Sequence, residues 1–103
     1  MTVSDHSQVE AAVLRAVRQA LEHHSAPLKK AGLTFRSPEV EVGMGEPSRY
    51  TSELRVYFYR DDDLVDAIEF HIFENGRQVV DEKKLPDWLA EDIAGAIERA
   101  VRR

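Results

Sequence analysis

Between Tyr50 and Glu74 the chain gathers most of the side chains that could do chemistry: Glu53, Arg55, Glu69, His71 and the consecutive aspartates Asp61, Asp62 and Asp63. A histidine beside a carboxylate can serve as a general base. An arginine opposite a carboxylate keeps that carboxylate ionised. No nucleophile accompanies the set, so Glu53, Arg55, Glu69 and His71 read first as cross-strand ion pairs, with ligand binding as the alternative and no catalytic residue assigned. The aspartate run is too short for a calcium loop of about twelve residues with alternating ligands, and reads as a solvated turn whose repulsion a cationic partner would relieve.

The remaining chemistry is thin. Of the 4 histidines, His23 and His24 are adjacent and point about 100° apart on a helix, neither with a ligand-type partner four residues on. His6 falls in a terminal segment expected to fray. No metal site or cofactor is expected. With no cysteine, disulfides, thiolate catalysis and sulfur-ligated metals are excluded. The phosphate-binding, dinucleotide-binding, serine-hydrolase and zinc-protease motifs are absent.

The elements that must position these residues begin with a β-hairpin. Leu54, Val56 and Phe58 alternate with Glu53, Arg55, Tyr57 and Tyr59, so the two groups occupy opposite faces. Ile68, Phe70 and Ile72 continue the apolar face. The other carries Tyr57, Tyr59, Val65, Ala67 and Phe73 beside the charges. Residues directly opposite share a face, so only an odd loop length works. Three residues are preferred to five, because opposite charges then meet, whereas five would put Arg55 beside His71. A loop at Asp61–Asp63 sets Arg60 against Leu64, Tyr59 against Val65, Tyr57 against Ala67, Arg55 against Glu69 and Glu53 against His71.

On either side of the hairpin, Val9, Val13, Ala16, Val17, Ala20, Leu21 and His24 share one helical stripe, and Ser7 with Glu10 forms a capping-box pattern, predicting a helix from Ser7 to Ser25. His24 is expected as a hydrogen-bonded core residue. Pro27 ends that helix, and Leu28–Ala31 make an extra turn stopped by Gly32. A weaker strand runs from Phe35 to Met44, with Val40, Val42 and Met44 on one side and Pro38 confining it to an edge or a start. Gly43, Gly45 and Pro47 mark a mobile loop. Asn75-Gly76 predicts a type I′ turn, followed by a charged edge strand over Arg77–Lys83. A second helix spans Pro86 to Val101, with Trp88 near its start packing on the sheet edge or the preceding loop.

The fold class is therefore α+β: a three- to four-stranded antiparallel meander flanked by an N-terminal and a C-terminal helix, in the order α-β-β-β-β-α. Each helix has one apolar stripe, and both are expected to pack on the Leu54, Val56, Phe58, Ile68, Phe70, Ile72 face.

Residues 1–103 fit one domain, with 1–6 frayed. A net charge of -5, a pI near 5.3 and scattered basic pairs argue against nucleic acid. No apolar run approaches the about 18 residues of a membrane span, and a cytoplasmic location is expected. The reading that follows is a small acidic protein-interaction module, a homodimer, docking a protein, and specifically a basic one, through the open sheet face and the acidic tip in the manner of an inhibitor or antitoxin. The alternative is a small-molecule binder or enzyme with a pocket over the same face, closed by the Gly43–Pro47 loop or a dimer mate and lined by Tyr57, Tyr59, Glu69 and His71.

Overall fold

In the computed structural model, which describes residues 3–43 and 46–102, the chain runs α1 (Val3–His23), α2 (Ser25–Lys30), β1 (Thr34–Phe35), β2 (Glu39–Val42), a 3₁₀ turn at Pro47–Arg49, β3 (Ser52–Arg60), β4 (Asp63–Glu74), β5 (Arg77–Gln78) and α3 (Leu85–Val101). All strand pairings are antiparallel. β1 and β2 lie end to end along one edge of β3, β4 pairs along the other, and β5 closes the far side. The two edge pieces are what becomes of the expected Phe35–Met44 strand, interrupted around Pro38, which has no N–H to give the ladder. Met44 and Gly45, and with them the centre of the expected mobile loop, lie outside the described residues.

The apolar stripes decide where the helices sit. Val13, Val17 and Leu21 of α1, and Leu85, Leu89, Ile93, Ala96 and Ala100 of α3, are buried with Leu54, Val56, Phe58, Ile68 and Ile72 in one core cluster. Full burial of one such aliphatic or aromatic side chain is worth about 1.5–3 kcal/mol, against about 0.2–0.5 kcal/mol for a surface helix pair. Both helices therefore cover the expected side of the sheet. The link between α1 and β1 closes with a Schellman motif: Gly32, at φ 77°, donates to Lys29 O, and Leu33 donates to Leu28 O at 2.9 Å. Leu28 and Leu33 are buried together.

The hairpin departs from regular alternation at two points. Asp61 and Asp62 have φ of 49° and 70°, and Arg60 pairs with Asp63. The turn is thus a two-residue loop with left-handed backbone at both positions, not the expected three-residue loop. Parity is restored by an extra residue, Val65, as Phe58 pairs with Asp66 and Tyr59 with Leu64. From Tyr57↔Ala67 to Glu53↔His71 the expected register holds. A second irregularity follows, since Ser52 pairs with Phe73 and Ile72 is left over. A bulge lets consecutive residues turn to one side, so Ile72 at 0% and Phe73 at 4% exposure are both buried. Phe73, expected on the open face, belongs to the core, and Val65 packs against the core cluster too.

Two further boundaries move, and one side chain takes another place. α1 begins at Val3, so Ser7 lies within the helix and the capping-box reading lapses. β5 covers only Arg77–Gln78 because the chain then turns towards α3, with Val79 N–H donating to Ile72 O at 2.9 Å. His24 is half-buried and stacks at a tilt on His23, ring centroids 5.3 Å apart, in place of the expected core role. Asn75 and Gly76, at φ 51° and 77°, make the predicted turn, and Trp88 packs edge-on against Phe70 at 4.8 Å.

Near its start α1 is tied to the sheet by aromatic contacts. His6 stacks on Tyr50 at 4.4 Å and meets Phe73 edge-on at 4.5 Å, placing it in the packed structure where fraying was expected. The Tyr50 hydroxyl donates to Glu10 Oε2 at 2.6 Å. Burial first, and then the hydrogen bond and charge of Glu10, push the Tyr50 phenol up to about 12. A folded-state value above that of the unfolded chain means that the contact's contribution is complete below about pH 10, and is lost as pH rises through the folded value. Melting curves collected from pH 9 to 12 should therefore show a steeper loss of stability for the native chain than for Tyr50→Phe. Parallel declines would refute the coupling.

Candidate functional site

With both helices on one side, the opposite face of β2, β3 and β4 carries Glu41, Glu53, Arg55, Tyr57, Tyr59, Leu64, Ala67, Glu69 and His71 by strand alternation. Two zones follow from the register.

The first is organised by Arg55. Glu41 and Glu53 are directly opposite, a like-charge arrangement that costs stability unless neutralised. The Arg55 guanidinium neutralises it, contacting Glu53, Glu41 at 3.5 Å and, through Nε, Glu69 at 3.7 Å. A side-chain hydrogen bond with Tyr57, followed by the charges of Glu41 and Glu53, raises the Arg55 pKa above its ordinary value, so Arg55 serves as a fixed cation. His71 Nε2 lies 3.2 Å from Glu53, and its Nδ1 lies 4.0 Å from Glu74. The four residues expected together, Glu53, Arg55, Glu69 and His71, thus form one cluster, joined by Glu41 and Glu74. A carboxylate flanks His71 on each side, and the hydroxyl in contact with the cluster is that of Tyr57, through Arg55. Among the described residues no group of three or more His, Cys, Asp or Glu is placed to hold a metal ion.

The second zone lies towards the hairpin tip. Tyr57 faces Ala67, and Tyr59 faces Leu64 on one side and Thr34 on the other. The Arg36 guanidinium sits over the Tyr59 ring, 4.8 Å from its centroid, in cation–π geometry. Leu64 is 56% exposed. The bulge at Val65 puts Leu64 in the place that strict alternation assigns to Val65, and no local signal separates the two residues. Asp61, Asp62 and Asp63 are exposed at the end of the hairpin, as expected of a solvated turn.

Two polar anchors on the helix side escaped the sequence reading. Arg60 donates to Ala31 O at 3.0 Å and to Ala100 O at 2.9 Å, tying the end of β3 to carbonyls at the C-terminal ends of two helices, where a cation is favoured. Asp66 accepts from Arg99 Nε at 2.6 Å. Both contacts join residues distant in sequence, for which spacing carries no signal.

Hollows lie elsewhere on the surface. A groove of about 350 Å³ is lined by Phe70, Val79, Val80 and Trp88 among others. Another of about 330 Å³, lined by Glu41, Val42, Gly43, Thr51 and Glu53, adjoins the glycine-rich loop. Neither includes Tyr57 or Tyr59. Among the described residues no helix is long and apolar enough to cross a membrane. No family model, curated protein or solved structure matches the chain.

If Arg55 neutralises the carboxylates, Arg55→Ala should lower the melting temperature most at low ionic strength, with the deficit shrinking as salt approaches about 1 M, where screening is nearly complete. A deficit independent of salt would mean that Arg55 acts through packing alone.

Proposed function

We propose that this chain is a small protein-interaction module that docks through the open face of its sheet, first with a second copy of itself. The observation that carries this reading is a patch over which no helix lies, made of half-buried Tyr57, Tyr59 and Ala67 with exposed Leu64, in a molecule only 17 Å across its thinnest axis. Its radius of gyration is 14.7 Å, where a compact chain of this length has about 13 Å. Its accessible surface is 6992 Å², against roughly 5,900 Å² for a compact monomer of this mass. The excess, 6992 less roughly 5,900 or about 1,100 Å², is more than the about 800 Å² that each partner contributes to a standard interface.

Tyrosines joined to small apolar neighbours supply large contact area at modest ordering cost, a common composition for an interface core. Isologous pairing about a two-fold axis that runs across the strands at this patch directs the two carboxylate clusters around Arg55 away from each other, which limits repulsion. A flat face is favoured over a ligand pocket here because the two hollows named above lie beside Gly43 and beside Trp88, not over the tyrosines. The acidic tip extends the same surface, so a basic protein is the heterologous partner that fits, as in neutralisation by an inhibitor.

Tyr57→Glu places a charge in the patch, and light scattering should report a mass shifted from dimer towards monomer. An unchanged mass for the folded variant would remove the self-pairing proposal. Asp61, Asp62 and Asp63 can be replaced together by Asn, which tolerates the left-handed turn and removes only charge. Capture of a basic protein such as lysozyme at low salt should weaken, and undiminished capture would count against recognition by the acidic tip.

A further inference from the structure

β4 has a second side that the sheet leaves unused. It pairs with β5 only at Phe73 and Glu74, so from Asp63 to His71 its outer edge has no strand partner among the described residues. The two halves of this edge differ in character. Near the tip it carries the devices that discourage strand addition: the bulge at Val65, the inward-facing Asp66 held by Arg99, and the Ala67 N–H occupied by Asp66 Oδ1 at 2.8 Å. From Ile68 to His71 the one such device is the exposed charge of Glu69, which a cationic partner would neutralise. This half opens directly onto the groove of about 350 Å³ formed by Phe70, Val79, Val80 and Trp88, with Asp81 and Lys84 at its rim.

Backbone groups of alternate residues on the outer strand of a hairpin point away from its partner. The Ala67 N–H bonded to its own neighbour's side chain marks this outward set as Ala67, Glu69 and His71. We propose that the Ile68–His71 edge and the adjoining groove form a strand-addition site for an extended segment of a partner protein in which Lys or Arg alternates with large apolar residues. Alternation follows from the two sides of the edge. An added strand turns every second side chain to the helix side, where the groove accepts an apolar one beside Trp88. The others meet Glu69 and His71 on the open face, within a cluster where Glu53, Glu69 and Glu74 outnumber the already engaged Arg55. Main-chain bonds supply affinity and the two environments supply selectivity. A second copy of β4 fits less well, since it brings its own Asp66 and Glu69 to an acidic edge. The site lies outside the tyrosine patch and stands independently of the pairing proposed there.

The chain has a single tryptophan, Trp88, and it lines the groove, so its emission reports occupancy. The full chain is titrated with a tryptophan-free peptide alternating Lys with Val and Phe, with a peptide of the same composition arranged in blocks, and with the alternating peptide N-methylated at every second amide. Saturable change in Trp88 emission is expected for the first peptide, with about ten-fold or greater weakening for the other two. Val79→Asp and Glu69→Lys, both at exposed positions and each checked for folding by circular dichroism, should weaken binding similarly, whereas Leu64→Ser, in the patch near the hairpin tip, should leave it unchanged. Equal binding of the block or N-methylated peptide, no response to the alternating one, or retention of affinity in both folded variants overturns the proposal. Emission that changes with protein concentration alone assigns the edge to a second copy and overturns it as well.

Discussion

The pairing of β3 with β4 governs the rest of the structure, because it decides which side chains reach the helices and which remain outside. β3 alternates without interruption, burying Leu54, Val56 and Phe58 while Glu53, Arg55, Tyr57 and Tyr59 stay partly exposed. β4 has two extra residues, and each changes the side to which its neighbours turn. At Ile72 the extra residue brings Phe73 into the core, where it supports His6 and Tyr50 and thereby the start of α1. At Val65 the extra residue directs Leu64 outward beside Tyr59 and makes room for a two-residue turn. Regular alternation throughout β4 would leave Phe73 in water, at a cost of about 1.5–3 kcal/mol in unrealised burial.

Charge is distributed along the same boundary. On the helix side Asp66 pairs with Arg99, Tyr50 with Glu10, and Arg60 with two carbonyls at helix ends, while Ser52 Oγ and His6 Nδ1 are buried without a hydrogen-bond partner among the described residues. On the open side the carboxylates outnumber the cations, and Arg55 holds the excess together. Pairs as exposed as these contribute little to stability individually. Their effect is directional instead, because an acidic field over one face favours cationic partners and raises their rate of encounter.

A two-layer architecture with one uncovered sheet face and one partly unpaired edge is economical for a chain of 103 residues, since one core serves both helices and the sheet. It also leaves surface of two kinds available: a flat aromatic patch near the hairpin tip, and an edge beside an apolar groove. The patch offers area and the edge offers backbone hydrogen bonds. These are separate physical means of recognition, and they lie on different sides of the same strand.

Local pattern alone determined a good deal. The two faces of β3, the Asn75-Gly76 turn, the Gly32 helix stop, both long helices and the pairs Arg55↔Glu69 and Glu53↔His71 all follow from periodicity, turn chemistry and the match of opposite charges across the strands, because each depends on residues near in sequence or opposite across one hairpin. Tertiary structure alone decided the bulges at Val65 and Ile72, the exchange of Leu64 for Val65 and of Phe73 from the outer face to the core, the ordered contacts of His6, and the anchors Arg60 and Asp66. A bulge is selected by what the resulting side chains can pack against, and a long-range hydrogen bond by which chain ends meet in space. Neither quantity is encoded in the spacing of residues along one strand, so both become legible only when the helices are in place against the sheet.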